Sequence, residues 1–196
     1  GGRFDVAEWQ REEILLSEVD EGARIQRLEI FASDRLRDAV ARLYERYAEL
    51  IPDGAARMRA GVTAQAAAAL LGSLGDQGGE RFVSAFAPDI EFTEHGIVTL
   101  PSLRGADEVK RAFLAVFEVI DDIDNRTDDI LGLEANVWLL RATLSGTGRT
   151  SGGVFARSLL SLCVFGPGGR AIRYEVFDGD RVDAAARGKI ARHRRP

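Results

Sequence analysis

The sequence contains little cysteine and little histidine. Its 196 residues include one cysteine, Cys163, and two histidines, His95 and His193. One thiol cannot form an internal disulfide, so nothing in the sequence requires an oxidising compartment. Two imidazoles and one thiol are also too few ligands for an ordinary tetrahedral zinc site. The sequence therefore predicts a chain that holds no disulfide and no metal.

Long apolar runs and targeting signals are missing as well. No apolar run approaches the roughly 20 residues that a helix needs to cross a bilayer. Residues 1–5 lack the basic and then apolar pattern of a secretory signal. We therefore predict a cytoplasmic chain with no membrane partner.

Positive charge is not in excess. The formal net charge is −5, whereas proteins that bind the phosphate backbone of nucleic acids carry a basic footprint. The basic residues within 187–196 are expected to form a solvated tail. The sequence also lacks a Walker loop, a dinucleotide fingerprint and a nucleophile elbow. We predict neither a nucleic-acid partner nor a cofactor.

The first part of the chain has the pattern of a hairpin followed by a helix. Residues 11–19 and 24–31 read as two strands around the turn at 20–23. The next segment predicts an amphipathic helix, whose apolar stripe consists of Leu36, Val40, Leu43, Tyr47 and Leu50. The hairpin and helix are assigned to residues 1–52, and residues 53–61 to a linker.

In the rest of the chain, helices precede strands. Residues 64–71 and 80–86 predict short helices, and 106–120 the clearest amphipathic helix. Alternating segments predict strands at 90–95, 127–133, 136–145, 155–165 and 170–177. Helices followed by an antiparallel meander indicate an α+β fold.

Part of the predicted hairpin recurs later in the sequence. Residues 24–35 align without gaps on residues 170–181, at an offset of 170 − 24 = 146. Chance similarity of two amphipathic hairpins is the alternative, but identical residues occur at both odd and even positions. The simplest account is that residues 1–52 are the closing hairpin and helix of a preceding copy of the same domain.

Three segments resemble the nuclear transport factor 2-like superfamily, and within it the SnoaL-like domains. They are Phe86-Ala87-Pro88-Asp89-Ile90-Glu91-Phe92, Arg104-Gly105 before the helix with Phe113, and Tyr174-Glu175-Val176-Phe177-Asp178 at the end of the meander. The superfamily includes polyketide cyclases, ketosteroid isomerases and limonene-epoxide hydrolases. The resemblance covers residues 62–186. It implies a cone-like, cystatin-like α+β fold, in which a curved antiparallel sheet wraps around helices and encloses a mostly apolar cavity.

The same resemblance implies candidate catalytic residues. Glu94 lies where ketosteroid isomerases place their carboxylate base, and Glu175 matches an acidic residue in the last strand of the cyclases. Arg141 could supply the cation of an acid–arginine–acid set like that of the epoxide hydrolases. The isomerase's hydroxyl donors lack counterparts, since its acid in the penultimate strand falls at or near Ser161. A true ketosteroid isomerase is therefore not predicted.

The residues expected to contact a ligand are Phe92, Phe113 and Phe117, with Thr143 and Ser161 as polar groups. Each strand of the meander alternates between two faces, one apolar and one mixed. The mixed face, which includes Arg141 and Glu175, is either the outer surface or the lining of a pocket. Strand alternation alone leaves both interpretations open.

Three functions are compatible with these observations. The preferred prediction is a domain that binds a small apolar molecule, as an accessory or sensory module of a larger protein. The second is an enzyme of the same fold, which performs acid–base chemistry on a polyketide-, terpene- or steroid-like substrate. The third is a structural dimerisation module whose cavity is filled by side chains, with Trp138 among them.

The N-terminal hairpin also predicts an oligomer. A two-stranded ribbon is marginal in water by itself, and its unpaired edges favour pairing. It either docks on its own domain or joins a second copy of the chain. We predict a homodimer, because the hairpin resembles strands that belong in a sheet of this type.

Overall fold

A computed structural model describes residues 12–72, 74, 78–96 and 102–180. The predicted tail at 187–196 and the last residues of the predicted domain 62–186 lie outside the described residues. The elements, in chain order, are β1 Glu13–Val19, β2 Ile25–Ala32, α1 Leu36–Leu50, α2 Ala55–Leu71, α3 Gly78–Ser84, β3 Phe86–Glu94, β4 Leu103–Arg104, α4 Ala106–Val119, β5 Ile120–Glu134, β6 Val137–Gly148, β7 Val154–Phe165 and β8 Ala171–Asp178. Among the described residues, no helix is both long and apolar enough to cross a membrane.

Strands β1 and β2 form an antiparallel ribbon that is separate from the main sheet. Their turn is organised by Asp20, whose carboxylate accepts hydrogen bonds from the backbone N–H groups of Gly22 and Arg24 at 2.9 and 3.0 Å. Such bonds from an Asp side chain to the backbone that follows it stabilise tight turns. The hairpin therefore forms where the sequence predicts it.

Helix α1 joins this ribbon to the core of the rest of the molecule. Its buried side includes Val40 and Tyr44, which are one helical turn apart. The Tyr44 hydroxyl donates a hydrogen bond to the Glu134 carbonyl at 2.8 Å, and the Tyr44 ring packs on Trp138. The predicted stripe is only partly buried, because Leu43 and Tyr47 turn towards the ribbon and remain 37% and 45% exposed.

Helix α2 begins earlier than the sequence analysis predicted. It starts at Ala55, inside the range 53–61 that was assigned to a linker, so most of that range is helical. The physical reason is local: Ala55, Ala56 and Met58 favour helix, and Gly54 at φ 130° provides the break before them. The boundary between the two predicted segments stays a prediction.

The main sheet contains six strands in the order β4-β3-β8-β7-β6-β5. The sheet is curved and α2, α3 and α4 contribute to the core on its inner face, which confirms the predicted α+β cone. One pair differs from the expected antiparallel pattern, since β3 and β8 are parallel. The chain between β3 and β8 includes β4, α4, β5, β6 and β7. Only a short hairpin connection would force two neighbouring strands to run antiparallel, so these two strands are free to pair in parallel.

Two clusters of buried side chains lie on opposite faces of the sheet. The inner cluster combines helical residues such as Leu70 and Phe82 with sheet residues such as Trp138 and Tyr174. The second cluster, on the outer face, consists of Val137, Leu139, Leu160, Leu162, Val164 and Phe177. The two faces of β7 are therefore both buried, which explains why its sequence is almost continuously apolar.

The β1–β2 ribbon and the β7–β8 hairpin have the same register. Leu16 faces Glu29, and Leu162 faces Glu175, at the same offset of 146 as in the sequence. A register shift follows Glu18 in the first hairpin and Val164 in the second, again at equivalent positions. The two hairpins are thus alike in geometry as well as in sequence.

Candidate functional site

A cavity of about 430 Å³ lies between the inner face of the sheet and the helices. This volume is within the roughly 300–1,000 Å³ that small-molecule sites occupy. Helix α4 contributes Phe113 and Val116 to the lining, and the sheet contributes Phe92, Tyr174 and Val176. The predicted enclosed, mostly apolar space is therefore present, and large side chains do not fill it completely.

Aromatic rings form a continuous wall on one side of this cavity. Phe92 stacks on Tyr174 with a centroid distance of 5.9 Å and meets the edge of Phe113 at 5.3 Å. Phe113 in turn packs on Phe82 at 4.9 Å. Each ring is held by at least one neighbouring ring, so this wall is preformed and rigid.

Two charged side chains face the cavity. Arg157 Nη1 donates a hydrogen bond to Glu94 Oε1 at 2.5 Å, and both residues line the cavity. Arg157 Nη2 donates to Asp178 Oδ1 at 2.7 Å. The Glu94 side chain is 10% exposed and that of Arg157 is 31% exposed. The site thus contains a carboxylate–guanidinium–carboxylate set at the edge of an apolar space.

Local structure explains how these three groups meet. Glu94 ends β3 and pairs with Val176 on the parallel neighbour β8, so both side chains point inward. Asp178 is two residues further along β8, on the same face. Gly96 leaves the room that the guanidinium needs, because a Cβ there would lie 2.1 Å from Arg157 Nη2.

The ionisation of two groups in the site follows from their surroundings. Burial lowers the pKa of Arg157, but hydrogen bonds to Glu94 and Asp178 more than offset it, so the pKa is raised and the cation is kept. Burial also raises the pKa of Tyr174, despite an opposing hydrogen bond with Ser161. Tyr174 therefore presents a neutral ring to the cavity.

Asn125 is a third polar residue in the lining. Its Oδ1 atom is buried and has no hydrogen-bond partner among the described residues. A buried acceptor without a partner is costly, by roughly 1–3 kcal/mol. A hydrogen-bond donor entering the cavity would remove that cost.

The candidate residues from the sequence divide between the two faces of the sheet. Glu94, Phe92 and Phe113 line the cavity. Ser161 also faces inward, opposite Leu140, but it is buried and bonded to Tyr174. Phe117 does not line the cavity and instead packs over Gly79 of α3, where a Cβ would lie 2.4 Å from its ring.

Arg141, Thr143 and Glu175 lie on the outer face, so the expectation that they share a pocket with Glu94 is wrong. Arg141 is opposite Leu160, and Glu175 is opposite Leu162. Arg141 donates a hydrogen bond to the Gly179 carbonyl at 2.8 Å, and Thr143 donates one to Asp128 at 2.6 Å.

The physical reason for this error is the register of β7. The apolar face of β6 contains Trp138 and Leu140, and these residues pair with Cys163 and Ser161, which belong to the mixed face of β7. The apolar face of β6 and the apolar face of β7 therefore lie on opposite sides of the sheet. Composition alone does not reveal the pairing.

Glu175 takes part in a structural cluster on that outer face. Its Oε2 atom is 2.7 Å from His95 Nε2, and it also pairs with Arg173. His95 stacks on Phe177 with a centroid distance of 4.4 Å. The equivalent pair in the N-terminal ribbon, Arg27 and Glu29, is likewise in contact at 2.8 Å. An arginine–glutamate pair on this strand is therefore a feature of both hairpins.

Sequence reasoning missed Arg157 and Asp178 as site residues. Arg157 is the cation that was sought at Arg141, and Asp178 is the second carboxylate that was sought at Glu175. The signal for Arg157 was present, because Arg157, Leu159 and Ser161 alternate onto one face and Ser161 was already a candidate for the cavity.

The other candidate locations are weaker. A depression of about 440 Å³ lies where α1 meets α2, but its lining includes Met58, which is 73% exposed, so it is an open surface groove. Among the residues that the structure describes, no cluster of three or more His, Cys, Asp or Glu side chains could hold a metal ion.

Several solved structures have a similar fold. A phenazine biosynthesis-related protein from Pseudomonas aeruginosa is 16% identical, with a TM-score of 0.49, and the match covers 67% of this chain and 85% of that one. An NTF2-like protein from Burkholderia thailandensis is 21% identical, with a TM-score of 0.48 and coverage of 69% and 95%. A ketosteroid isomerase-like protein from Catenulispora acidiphila, in complex with trimethylamine, is 17% identical, with a TM-score of 0.47 and coverage of 59% and 82%.

Sequence comparison adds one firm assignment. A search of curated protein sequences found no match. A family model, however, matches residues 67–193, which is more than half of the chain, and its description is the SnoaL-like domain. This range includes all three members of the carboxylate–guanidinium–carboxylate set and every helix and strand from α3 onward. The chain therefore belongs to the SnoaL-like domain family.

Proposed function

We propose that the cavity binds a small, largely apolar molecule that carries one polar group. The observation that supports this most directly is the combination of an apolar cavity with one charged pair, Glu94 and Arg157, at its wall. Apolar walls provide most of the affinity of such sites, and a few polar groups fix the orientation of the ligand. The unpartnered Oδ1 atom of Asn125 offers a further contact for a donor group.

A neutral fluorescent probe, N-phenyl-1-naphthylamine, tests this proposal. Val116 lines the cavity, so Val116→Trp fills part of it and is expected to weaken probe binding at least about tenfold, the equivalent of 1.4 kcal/mol. Val154→Trp, at a residue that is 82% exposed, is the matched control and should leave the affinity unchanged. Equal binding by both variants would show that the probe does not occupy the cavity.

A second candidate function is acid–base catalysis in the same cavity. The specific observation in its favour is the set of Glu94, Arg157 and Asp178, which places a carboxylate base beside a fixed cation. In such a site, Glu94 would accept a proton from water or carbon, Arg157 would stabilise the oxygen on which negative charge develops, and Asp178 would hold the guanidinium in place.

Hydrolysis of cyclohexene oxide is a direct test of this second candidate. Glu94→Gln is expected to lower the rate by roughly 100-fold or more, because general base catalysis contributes about that much. The same variant should lower the free energy of unfolding by only about 1.5–3 kcal/mol, the value of one charge-assisted hydrogen bond.

Gly96→Ala is a useful companion to Glu94→Gln, because it displaces the Arg157 guanidinium without removing any of the three charged groups. A loss of rate in both variants supports the charged set as the catalytic unit. A wild-type rate no higher than that of buffer would exclude this reaction, and probe binding would then stand alone.

A further inference from the structure

The β1–β2 ribbon has an outward face that is mostly apolar, with Ser17 near its centre and Glu13 at its end. Its large side chains remain substantially exposed: Leu15 60%, Val19 55%, Ile25 63%, Leu28 47% and Ile30 54%. They are adjacent in space, because Leu15 faces Ile30 and Val19 faces Ile25 across the ribbon. An exposed contiguous apolar patch of this kind is typical of an interaction surface. We call it the outward face of the ribbon.

The opposite face of the ribbon carries its charges and points towards α1. Glu18 forms an ion pair with Arg46 at 2.8 Å, and Glu29 forms one with Arg42 at 3.0 Å. A hairpin on the surface of a monomer normally turns its charged side chains to water and its apolar side chains inward. This ribbon departs from that rule on its outward side only. Ile14, Leu16 and Phe31 point towards α1 and are partly buried, whereas the apolar side chains of the outward face stay exposed.

Comparison with β7–β8 shows what kind of cover this face requires. The outward residues Leu15, Val19 and Leu28 are equivalent, at the offset of 146, to Ser161, Phe165 and Tyr174. The latter three face the interior of the cone and are each at most 5% exposed. The outward face therefore occupies the position of a core face, and a second apolar layer is its natural partner.

From these observations we propose that the chain forms a homodimer in which the outward faces of two ribbons pack against each other. The ribbon cannot take the equivalent place in the cone of its own chain or of a second copy, because β7 and β8 occupy the position between β6 and β3. The outward face of a second ribbon offers an apolar layer of the same width. Within β1 and β2, the one charged residue on this face is Glu13, at its end, so the described parts of two copies meet without repulsion at the centre.

The size of the face sets the strength of the dimer. Strand β1 has 7 residues, so the ribbon is about 25 Å long and about 10 Å wide. The area of this face, about 250 Å², is well below the roughly 800 Å² per partner of a standard stable interface. The dimer therefore belongs to the weak class, with dissociation in the micromolar range, and is symmetric about a two-fold axis.

Sedimentation velocity on the full chain, from about 1 to about 200 µM, tests this proposal. The wild-type protein is expected to pass from monomer to dimer across that range. The double variant Leu28→Lys/Ile30→Lys should remain monomeric, which is a loss of affinity of at least 100-fold (about 2.7 kcal/mol). The matched control Met58→Lys/Val154→Lys adds the same two charges at exposed apolar residues elsewhere and should dimerise normally.

A second variant guards against simple loss of the hairpin. Leu28→Thr/Ile30→Thr places β-branched side chains of high strand propensity at both positions but removes most of the apolar area, so it should also be monomeric. Two results would overturn the proposal. A wild-type chain that stays monomeric at the highest concentration leaves the face to another occupant, such as the remainder of a preceding SnoaL-like domain. A dimer that both hairpin variants retain assigns the contact to a different surface.

Discussion

The two hairpins of this chain have nearly the same internal geometry and opposite surroundings. In both hairpins a register shift occurs at equivalent residues near the end of the first strand. In both turns the residue two positions before the second strand has a positive φ, which is 59° at Ala23 and 80° at Gly169. β7–β8 lies between β6 and β3 in the middle of a six-stranded sheet, whereas β1–β2 has no other strand beside it among the described residues. The local sequence thus determines the shape of a hairpin, and the rest of the fold determines which of its faces are buried.

The largest difference is expected at the equivalent residues Tyr174 and Leu28. Tyr174 packs against Phe82, Phe86 and Phe92, so Tyr174→Ala should lower the free energy of unfolding by about 3–5 kcal/mol. Leu28→Ala, at a half-exposed position, should lower it by less than about 1 kcal/mol. Urea denaturation at about 1 µM, where the proposed dimer is dissociated, measures both changes. Similar losses would mean that the ribbon is buried within the monomer.

A smaller difference is expected at the equivalent residues Glu175 and Glu29. The Glu175 side chain is 2% exposed, so Glu175→Gln leaves the Arg173 cation partly uncompensated and should cost about 3 kcal/mol. The Glu29 ion pairs are accessible to solvent, so Glu29→Gln should change stability little. Thermal unfolding of the two variants provides the comparison. A larger loss of stability from Glu29→Gln than from Glu175→Gln would contradict the conclusion that only the glutamate of the second hairpin is buried.

The turn offers a third pair, Gly169 and Ala23. A Cβ at Gly169 would lie 2.6 Å from the Arg59 carbonyl oxygen and 2.8 Å from the Val62 Cβ, so Gly169→Ala should cost about 1–3 kcal/mol. Position 23 already holds alanine in the left-handed region, and Ala23→Gly should therefore raise stability by less than about 1 kcal/mol. Opposite signs in chemical denaturation are the expected result. Equal signs would show that helix α2 does not constrain the second turn.

The smallest effect concerns pH. The hydrogen bond from the Arg24 backbone, and then that from the Arg24 side chain, lower the pKa of Asp20 below its ordinary value of 3.8. A lowered folded-state pKa means that this contribution to stability is complete above about pH 4 and is lost as pH falls further. Gly166 occupies the equivalent position and has no carboxylate.

Amide proton shifts in an acid titration would detect this difference. The Gly22 and Arg24 signals should move as the pH falls below about 4, while the Gly168 signal in the second turn stays still. Asp20→Asn is the control and should abolish the response. An unchanged titration in that variant would assign the effect to another carboxylate.

Much of the fold could be predicted from the sequence, because its strongest signals are periodic. The helix with Phe113 and Val116, and the alternation along β6 and β8, follow from the spacing of apolar residues. The parallel pairing of β3 with β8 could not be predicted from periodicity, since alternation is the same in both kinds of sheet. The start of α2 was missed because propensity and linker composition gave conflicting indications at 55–61.

The candidate site was predicted less completely, for a reason of register. Glu94 could be placed in the cavity because the end of its strand is marked by the family's motif. The partner Arg157 depends on which face of β7 turns inward, and both faces of β7 contain apolar residues. Arg141 and Glu175 follow from the family resemblance, which does not include the contacts that bring Arg157 and Asp178 to Glu94. A sequence pattern determines the two faces of a strand, but only pairing determines which face meets the helices.

The parallel contact between β3 and β8 also affects when the domain can fold. It joins residues 86–94 to residues 171–178, and everything between them must be synthesised before the contact can form. Until then β3 and β4 have no connection through the sheet to β5, β6 and β7. Contacts between such distant segments slow folding, because the entropy of closing the long intervening loop is lost before the contact stabilises the chain. On the ribosome, the charged set of Glu94, Arg157 and Asp178 is assembled only by this last strand, so the site and the completed sheet appear together.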